Sequence, residues 1–408
     1  MSLVPVPLWR PMTGRDRHEA GRAATPLELL FDLVFVVAIA SDAAYLHHGL
    51  SAGDWGALSG YTLTWFGIWW AWVSYTWFAS AYDTDDVVFR VLSLVVMTGA
   101  LMFAAAVPEL APTGQSVMGV AGYAVMRFGQ VGLWLRAAAD DPERRRTALT
   151  YAVLISLVQV LWVGRLWLPA SLSWSFFVLV GLELLVPVVA ESRGNTPYHP
   201  HHIAERFGLL AIIALGEVVL STVQSIQQAI ASAAPAEGGA GHTAPYAAAG
   251  VGWDMLPLVI GGLLVVYSTW WLYFKTENAS LLQRRPWTAW VFSYGHLPVY
   301  ASIAAIGAAL SAAIDVTTGA AAVSSRPVAV ALAAAVAVTV LGLAGIHAVC
   351  GGSRRVLRPA ALVAVAALGS TLVDASMPFS VLLVGLPLAG AVAEHVRRST
   401  RGTLGSEP

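Results

Sequence analysis

Apolar runs of about twenty residues recur from residue 27 to residue 395, separated by short polar connections. A helix rises about 1.5 Å per residue, so each run is long enough to cross a hydrocarbon core of about 30 Å. Twelve spans are predicted, centred on residues 27 to 47, 56 to 80, 88 to 108, 116 to 138, 147 to 167, 172 to 190, 203 to 228, 252 to 275, 288 to 312, 327 to 349, 357 to 374 and 377 to 395. The fold class is therefore all-α, a polytopic transmembrane helix bundle of about 12 helices. On this map residues 1–26 are a cytoplasmic N-terminal segment, 27–195 and 196–396 are two bundle halves, and 397–408 are a cytoplasmic tail.

A weak internal similarity suggests that the halves are two parallel six-helix repeats. "TWFASAYDTD" at 76–85 shares a Thr-Trp-aromatic start and a polar end with "TWWLYFKTEN" at 269–278, and "ELLFDLVFVVAI" from residue 28 is set against "ERFGLLAIIALG" from residue 205. Six spans per half is an even number, so duplicated halves would share one orientation about an axis along the membrane normal. Chance similarity between Trp-rich hydrophobic helices is the alternative.

Composition agrees with the pattern: 57% of residues are hydrophobic and 12% charged, against about 25% charged in soluble domains. The net charge of -1 gives no reason to expect nucleic acid. Cys350 is the single cysteine, which excludes an internal disulfide and a Cys-rich metal site. No cofactor is implied, and the expected partners are the lipid bilayer and a small molecule or ion of unknown identity.

The placement of Lys and Arg orients the map, because connections facing the cytoplasm hold the excess of positive charge. Alternate connections carry Arg10, Arg15, Arg17 and Arg22, then Arg90, Arg136 and Arg144 to Arg146, Arg193 and Arg206, Lys275, Arg284 and Arg285, Arg354, Arg355 and Arg358, and finally Arg397, Arg398 and Arg401. The opposite set holds Arg165 and Arg326. Both termini should face the cytoplasm, in a cell (plasma or inner) membrane. Arginines ahead of an apolar run ending in Ala38-Ile39-Ala40 have the outline of a signal peptide. Asp32 interrupts that run, which continues past Ala40, so a retained first helix is expected. The connection at 229–251, rich in Ala, Gly and Pro, reads as a flexible external loop.

Against this background the ionisable groups inside spans stand out. In "TPLELLFDLVFVVAIA" Thr25 can cap the first helix, Pro26 suits its first turn and Glu28 complements the positive end of the dipole. Asp32 lies one turn deeper on nearly the same face, where it must be paired, protonated or turned to protein or water. In "HPHHIAERFGLLAIIALGE" Glu205 falls in the first turn, whereas Glu217, fifteen residues past His202, lies about 22 Å further along the helix. Gly208, Ile212 and Gly216 form an i, i+4 ridge suited to helix packing. His202 and Glu205, with His199 or His201, offer the spacing of a zinc or iron site, although solvated interfacial histidines are the simpler reading, so metal binding is left as unknown.

The fourth span puts Tyr123, Arg127, Gln130 and Trp134 on one face. A mid-span guanidinium needs a carboxylate, and Asp32, Glu183 or Glu217 could serve, either as a structural pair or as part of a site. With one arginine for three deep acids, at least one acid is left free to carry a proton. In "YDTDDVVFR" Asp85 or Asp86 can cap the third helix, and the cluster with Asp83 could gate with Arg90 or attract a cation. Trp65, Trp69 and Trp72 share one stripe of the second span and Trp70 and Trp77 another, as packing or lipid-facing residues. His296 and Pro298 interrupt the ninth span, which Pro298 is expected to kink.

The segments "PLELLFDLVFVVAI", "YDTDDVVFR", "YAVMRFGQVGLWLRAA" and "HHIAERFGLLAIIALGE" resemble the bacterial low temperature requirement protein A family over roughly residues 25 to 395. The family positions matched are Glu28, Phe31, Asp32, Asp83, Asp85, Asp86, Arg90, Arg127, His202, Glu205, Arg206, Gly208, Gly216 and Glu217, and Tyr82 stands where the family favours Phe. The family's name records growth in the cold rather than a chemical activity. The resemblance therefore implies a bacterial membrane protein and leaves its chemistry to the residues.

The functional expectation is a proton-linked secondary transporter or permease, with Glu28, Asp32, Arg127, Glu183, His202, Glu205, Arg206 and Glu217 as substrate- or proton-binding candidates. Asp83, Asp85, Asp86 and Arg90 are gating or cation candidates. In that picture Asp32 and Glu217 bind protons, Arg127 meets an acid or an anionic substrate, and the deep groups converge on one cavity. A membrane enzyme acting on a lipid or isoprenoid, and a structural or signalling protein needed for cold growth, are the alternatives, with no residue assigned to catalysis.

Overall fold

A computed structural model describes residues 6–16, 19, 22–169, 172–232, 253–275, 278–283 and 287–404. Twelve long helices occupy the twelve predicted spans among the described residues, and a further short one stands between two of them. They are α1 (Pro26–Ala52), α2 (Ala57–Tyr82), α3 (Val87–Thr113), α4 (Val117–Asp140), α5 (Arg145–Gly164), α6 (Ser175–Glu191), α7 (Pro200–Ser232), α8 (Leu256–Phe274), the short α9 (Asn278–Gln283), α10 (Thr288–Thr318), α11 (Ser325–Val349), α12 (Leu357–Ser370) and α13 (Met377–Leu404). Of the loop expected at 229–251, residues 229–232 are the last turn of α7, which runs to Ser232, and the rest lies outside the described residues. Arg17, Arg284 and Arg285 lie outside them as well.

Among the described residues, eight helices are long and apolar enough to cross a membrane: α1, α3, α5, α7, α8, α10, α11 and α13. The other four predicted spans differ for physical reasons. At 17 and 14 residues α6 and α12 fall short of the roughly 20 that a bilayer core requires. With 26 and 24 residues α2 and α4 are long enough, but the first is dense in Trp and Tyr and the second carries Arg127 and Gln130. Pro298 sits inside α10 without ending it.

Local chemistry accounts for the helix ends. Thr25 and Glu28 form a reciprocal capping box, with Thr25 N donating to Glu28 Oε2 at 2.9 Å and Glu28 N to Thr25 Oγ1 at 3.3 Å. Asp86 caps α3 by accepting from Phe89 N at 2.9 Å. Gly114 ends α3 in the left-handed region, φ 64°, where a side chain would be strained.

Contacts divide the chain into two compact units, one formed by Met1–Asp42 and Ser59–Leu210, the other by Ala43–Leu58 and Ala211–Pro408. In the first unit α3 packs on α4, α4 on α5 and α5 on α6. Glycine permits the closest approach: a Cβ on Gly99 would lie 2.5 Å from Met126 N, and one on Gly122 would lie 2.6 Å from Phe103 N. In the second unit α8 packs on α13 and α10 on α11, with a Cβ on Gly261 only 2.5 Å from Leu382 N. The ridge expected at Gly208 and Gly216 is not used in full. Gly208 is buried, but a Cβ on Gly216 would meet nothing within 4 Å.

Candidate functional site

The first unit gathers two i, i+4 pairs against each other. Glu28 and Asp32 lie one turn apart on α1, and His202 and Arg206 one turn apart on α7, so carboxylates and bases are spaced to meet. Arg206 donates from Nη1 to Glu28 Oε1 at 2.9 Å, from Nη2 to Asp32 Oδ1 at 2.6 Å and from Nε to Asp32 Oδ2 at 3.1 Å. The two bonds to Asp32 make the bidentate fork that suits a guanidinium. His202 Nε2 lies 3.2 Å from the Glu28 carboxylate. All four side chains are 0% exposed. Two carboxylates against one guanidinium leave the group at -1 while the imidazole is neutral, and a single proton balances it.

One face of α2 runs along this group toward the end of the helix. Trp72, Thr76, Ser80 and Asp83 recur at i, i+4, i+8 and i+11. Trp72 Nε1 donates to Asp32 Oδ1 at 2.8 Å, Ser80 Oγ accepts from His199 N at 3.0 Å, and the neighbouring Ala79 carbonyl accepts from Arg22 Nη2 at 2.9 Å. His199 uses Nε2–H toward the Glu19 carbonyl at 3.0 Å and accepts at Nδ1 from His202 N at 3.2 Å, which fixes the neutral tautomer. Arg22 Nε, Thr76 Oγ1, Asp83 Oδ2 and His202 Nδ1 are buried with no hydrogen-bond partner among the described residues. Burial and the negative charge of Glu28 push the Asp83 carboxyl up to about 6, against the pull of Arg22.

A second buried group surrounds Glu183 of α6. Its carboxylate accepts from Tyr123 Oη at 2.9 Å, Trp70 Nε1 at 2.9 Å, Trp162 Nε1 at 3.3 Å and Arg127 Nη2 at 3.2 Å. Arg127 also donates to Tyr123 Oη. Of the three partners expected for Arg127, Glu183 is the one it meets, and Gln130 of the same face donates instead to the Ser74 carbonyl at 3.2 Å.

The acidic loop binds the chain's own N-terminal segment. Asp86 pairs with Arg136 and accepts from Arg10 N at 2.8 Å. Burial works against its ionisation, but Arg136 and the N–H groups of Phe89 and Arg10 outweigh it and hold the carboxyl at about 2. Asp85 adopts a positive φ of 46° and grips Arg90 through two bonds of 2.8 and 2.9 Å. Met12 N donates to Asp140 at 2.9 Å, Gly14 N to Asp141 at 3.3 Å and Arg15 N to the Ala81 carbonyl at 3.0 Å. The acids that break the positive bias of this face thus anchor a strap of backbone.

Within the first unit Asp32 and Arg127 do not pair with each other. Asp32 is satisfied by Arg206 and Trp72, and Arg127 by Glu183. Glu217 belongs to the second unit, is half-exposed and makes no hydrogen bond or ion pair among the described residues. Burial does not follow position along the helix: Glu28, His202 and Arg206, near the starts of α1 and α7, are fully enclosed. Glu205 is exposed and accepts from Ala24 N at 3.2 Å, whereas His202 turns to Glu28, so this pair does not present two ligands to one metal. No cluster of three metal-ligating side chains occurs among the described residues.

Other polar pairs escaped the sequence reading. Asp42, fully buried, accepts from Thr64 Oγ1 at 2.5 Å. In the second unit Asp315 meets His47 Nε2 and Ser51 Oγ, each at 2.7 Å. The indoles Trp70 and Trp72, expected to pack or face lipid, are buried donors to acids. A surplus of mid-span carboxylates beside N–H-bearing aromatics was the available signal, since a buried indole N–H needs an acceptor.

The sequence that builds these groups is similar to a known family. The family model for bacterial low temperature requirement A protein matches residues 23–392. The chain belongs to the low temperature requirement A family. Both enclosed groups, Glu28–Asp32–His202–Arg206 and Arg127–Glu183, fall inside the part of the chain that matches low temperature requirement A. A relative from Rhizobium meliloti (strain 1021), described as uncharacterized protein RA0937, is 26% identical over 309 residues, covering 71% of this chain and 69% of its own. No solved structure matches the chain. With its apolar helices, this member of the low temperature requirement A family is an integral, multi-pass membrane protein.

Proposed function

We propose that the protein is a proton-linked permease for a small molecule or ion, and that the Glu28–Asp32–His202–Arg206 group is its proton-binding centre. The observation that carries this reading is the make-up of a fully enclosed group, two carboxylates and an imidazole around a single guanidinium. An unbalanced charge in a low-dielectric interior is costly, so a proton taken up by the group is held until a cation or a conformational change replaces it. In this reading the proton path follows the seam of α2: Asp83 Oδ2, Arg22 Nε, Thr76 Oγ1 and His202 Nδ1, each lacking a partner among the described residues, are places where water can complete the hydrogen bonding. The arginine pattern supports an orientation with this end and both termini in the cytoplasm of a cell membrane.

The test is proton movement into proteoliposomes loaded with a pH-sensitive dye, under an imposed pH gradient and membrane potential. Protein-dependent acidification is expected, lost in Glu28→Gln and His202→Gln and retained in Glu217→Gln. Flux that survives both of the first two substitutions sinks the reading, as does a wild-type protein that moves no protons under either driving force. A fully paired Arg206 also suits a device that only fixes helix register; that alternative predicts stability loss with no flux to lose.

A further inference from the structure

The second unit holds a partly enclosed cavity of about 240 Å³, close to the lower end of small-molecule sites. The solvent-exposed part of its lining, taken as its mouth, carries Lys275 just past α8, Arg355 ahead of α12 and Arg398 of α13, with Glu394 also in the lining. Glu394 is already engaged by Arg397 and Arg398, each at 2.6 Å. Neither Lys275 nor Arg355 meets an acid among the described residues. Among the described lining residues, three cations against one carboxylate give a net charge of about +2, which favours an anion there.

Behind the mouth the walls turn apolar, with Leu272, Leu343, Val363 and Ala391. His296, 1% exposed, is the buried polar residue of the lining, held by Tyr273 Oη at 3.3 Å and the Phe292 carbonyl at 2.6 Å. A ligand that satisfies both parts is amphipathic, with an anionic head and an apolar tail. A separate observation fixes the depth: Trp270, Trp271 and Phe274, one turn before Lys275, are 46%, 40% and 37% exposed. Exposed aromatics next to a basic residue mark the headgroup level of a bilayer.

We propose that this cavity binds an anionic phospholipid from the adjoining leaflet, its phosphate on Lys275, Arg355 and Arg398 and its upper acyl chain along the apolar wall. Basic pockets between transmembrane helices take such headgroups, and each Lys or Arg near the surface adds severalfold to binding. This goes beyond the proton-linked reading and does not depend on it.

The experiment is native mass spectrometry of the full chain released from detergent, titrated with phosphatidylglycerol or phosphatidylcholine of identical acyl chains, with inorganic phosphate as competitor. Phosphatidylglycerol should be retained over phosphatidylcholine by tenfold or more. Lys275→Ala with Arg355→Ala should weaken it about thirtyfold, whereas Lys275→Arg with Arg355→Lys and the remote Arg326→Ala should bind like the wild type. Equal retention of the two lipids overturns the proposal. So does unchanged binding in the double alanine variant, or full displacement by millimolar phosphate, which would mean that the tail is not recognised. If the double alanine variant does not fold, Arg355→Glu alone should still abolish the preference for phosphatidylglycerol.

Discussion

Replacing Arg206 by Met tests whether the enclosed group is held by charge or only by shape. The guanidinium gives three hydrogen bonds to two carboxylates, and every group involved is fully buried. Met fills a similar volume but leaves Glu28 and Asp32 facing each other with no fixed cation. Breaking a buried pair from one side costs about 3–5 kcal/mol, because an uncompensated charge remains, and at about 1.4 kcal/mol per factor of ten this lowers the folding constant a few hundredfold or more. The triple variant Glu28→Gln, Asp32→Asn, Arg206→Met removes all the charges together, and Asn at 32 keeps an acceptor for Trp72 Nε1. Its loss should be well under half that of the single variant. Equilibrium unfolding in mixed micelles, read by tryptophan fluorescence, compares the two directly. A single variant within about 0.5 kcal/mol of wild type, or a triple variant as damaged as the single, would refute the electrostatic account.

Asp83 should impose a pH dependence of definite sign. Its carboxyl titrates near 6 when folded against an ordinary 3.8, so protonation favours the folded state, and stability falls as pH rises from about 4 to 6 by a total of about 3 kcal/mol. Asp83→Asn should flatten that slope and be the more stable protein at pH 7.5, which thermal unfolding at several pH values measures. Gly99→Ala, whose Cβ would sit 2.5 Å from Met126 N, should cost about 1–3 kcal/mol, while Gly216→Ala, which meets nothing, should be neutral or stabilising by up to about 1 kcal/mol. A green fluorescent protein fused after residue 404 should fluoresce and an alkaline phosphatase in the same place should stay inactive; the reverse would overturn the cytoplasmic assignment of the tail.

The sequence by itself determined the elements but not all of their ends, since α1, α3, α10 and α13 run five to nine residues past the predicted spans. Span length and apolar pattern located all twelve long helices, because a helix closes its own backbone hydrogen bonds and needs only a local run of suitable residues. The Thr25–Glu28 box and the Asp86 cap were readable for the same reason, since their partners lie within three residues. The candidate residues were legible too: Glu28, Asp32, Arg127, Glu183, His202 and Arg206 all proved to be in buried polar groups.

Only the tertiary structure decided which of them meet. Arg206 joins Asp32 across 174 positions of sequence and Arg127 joins Glu183 across 56. Such pairings depend on how each helix is rotated about its axis and where it crosses its neighbour, quantities that no local pattern encodes. Distance along the helix placed Glu217 deepest, yet rotation left it half-exposed and without a partner, while residues near the helix start were turned inward. Depth can be counted in residues; enclosure is set by what packs against the face.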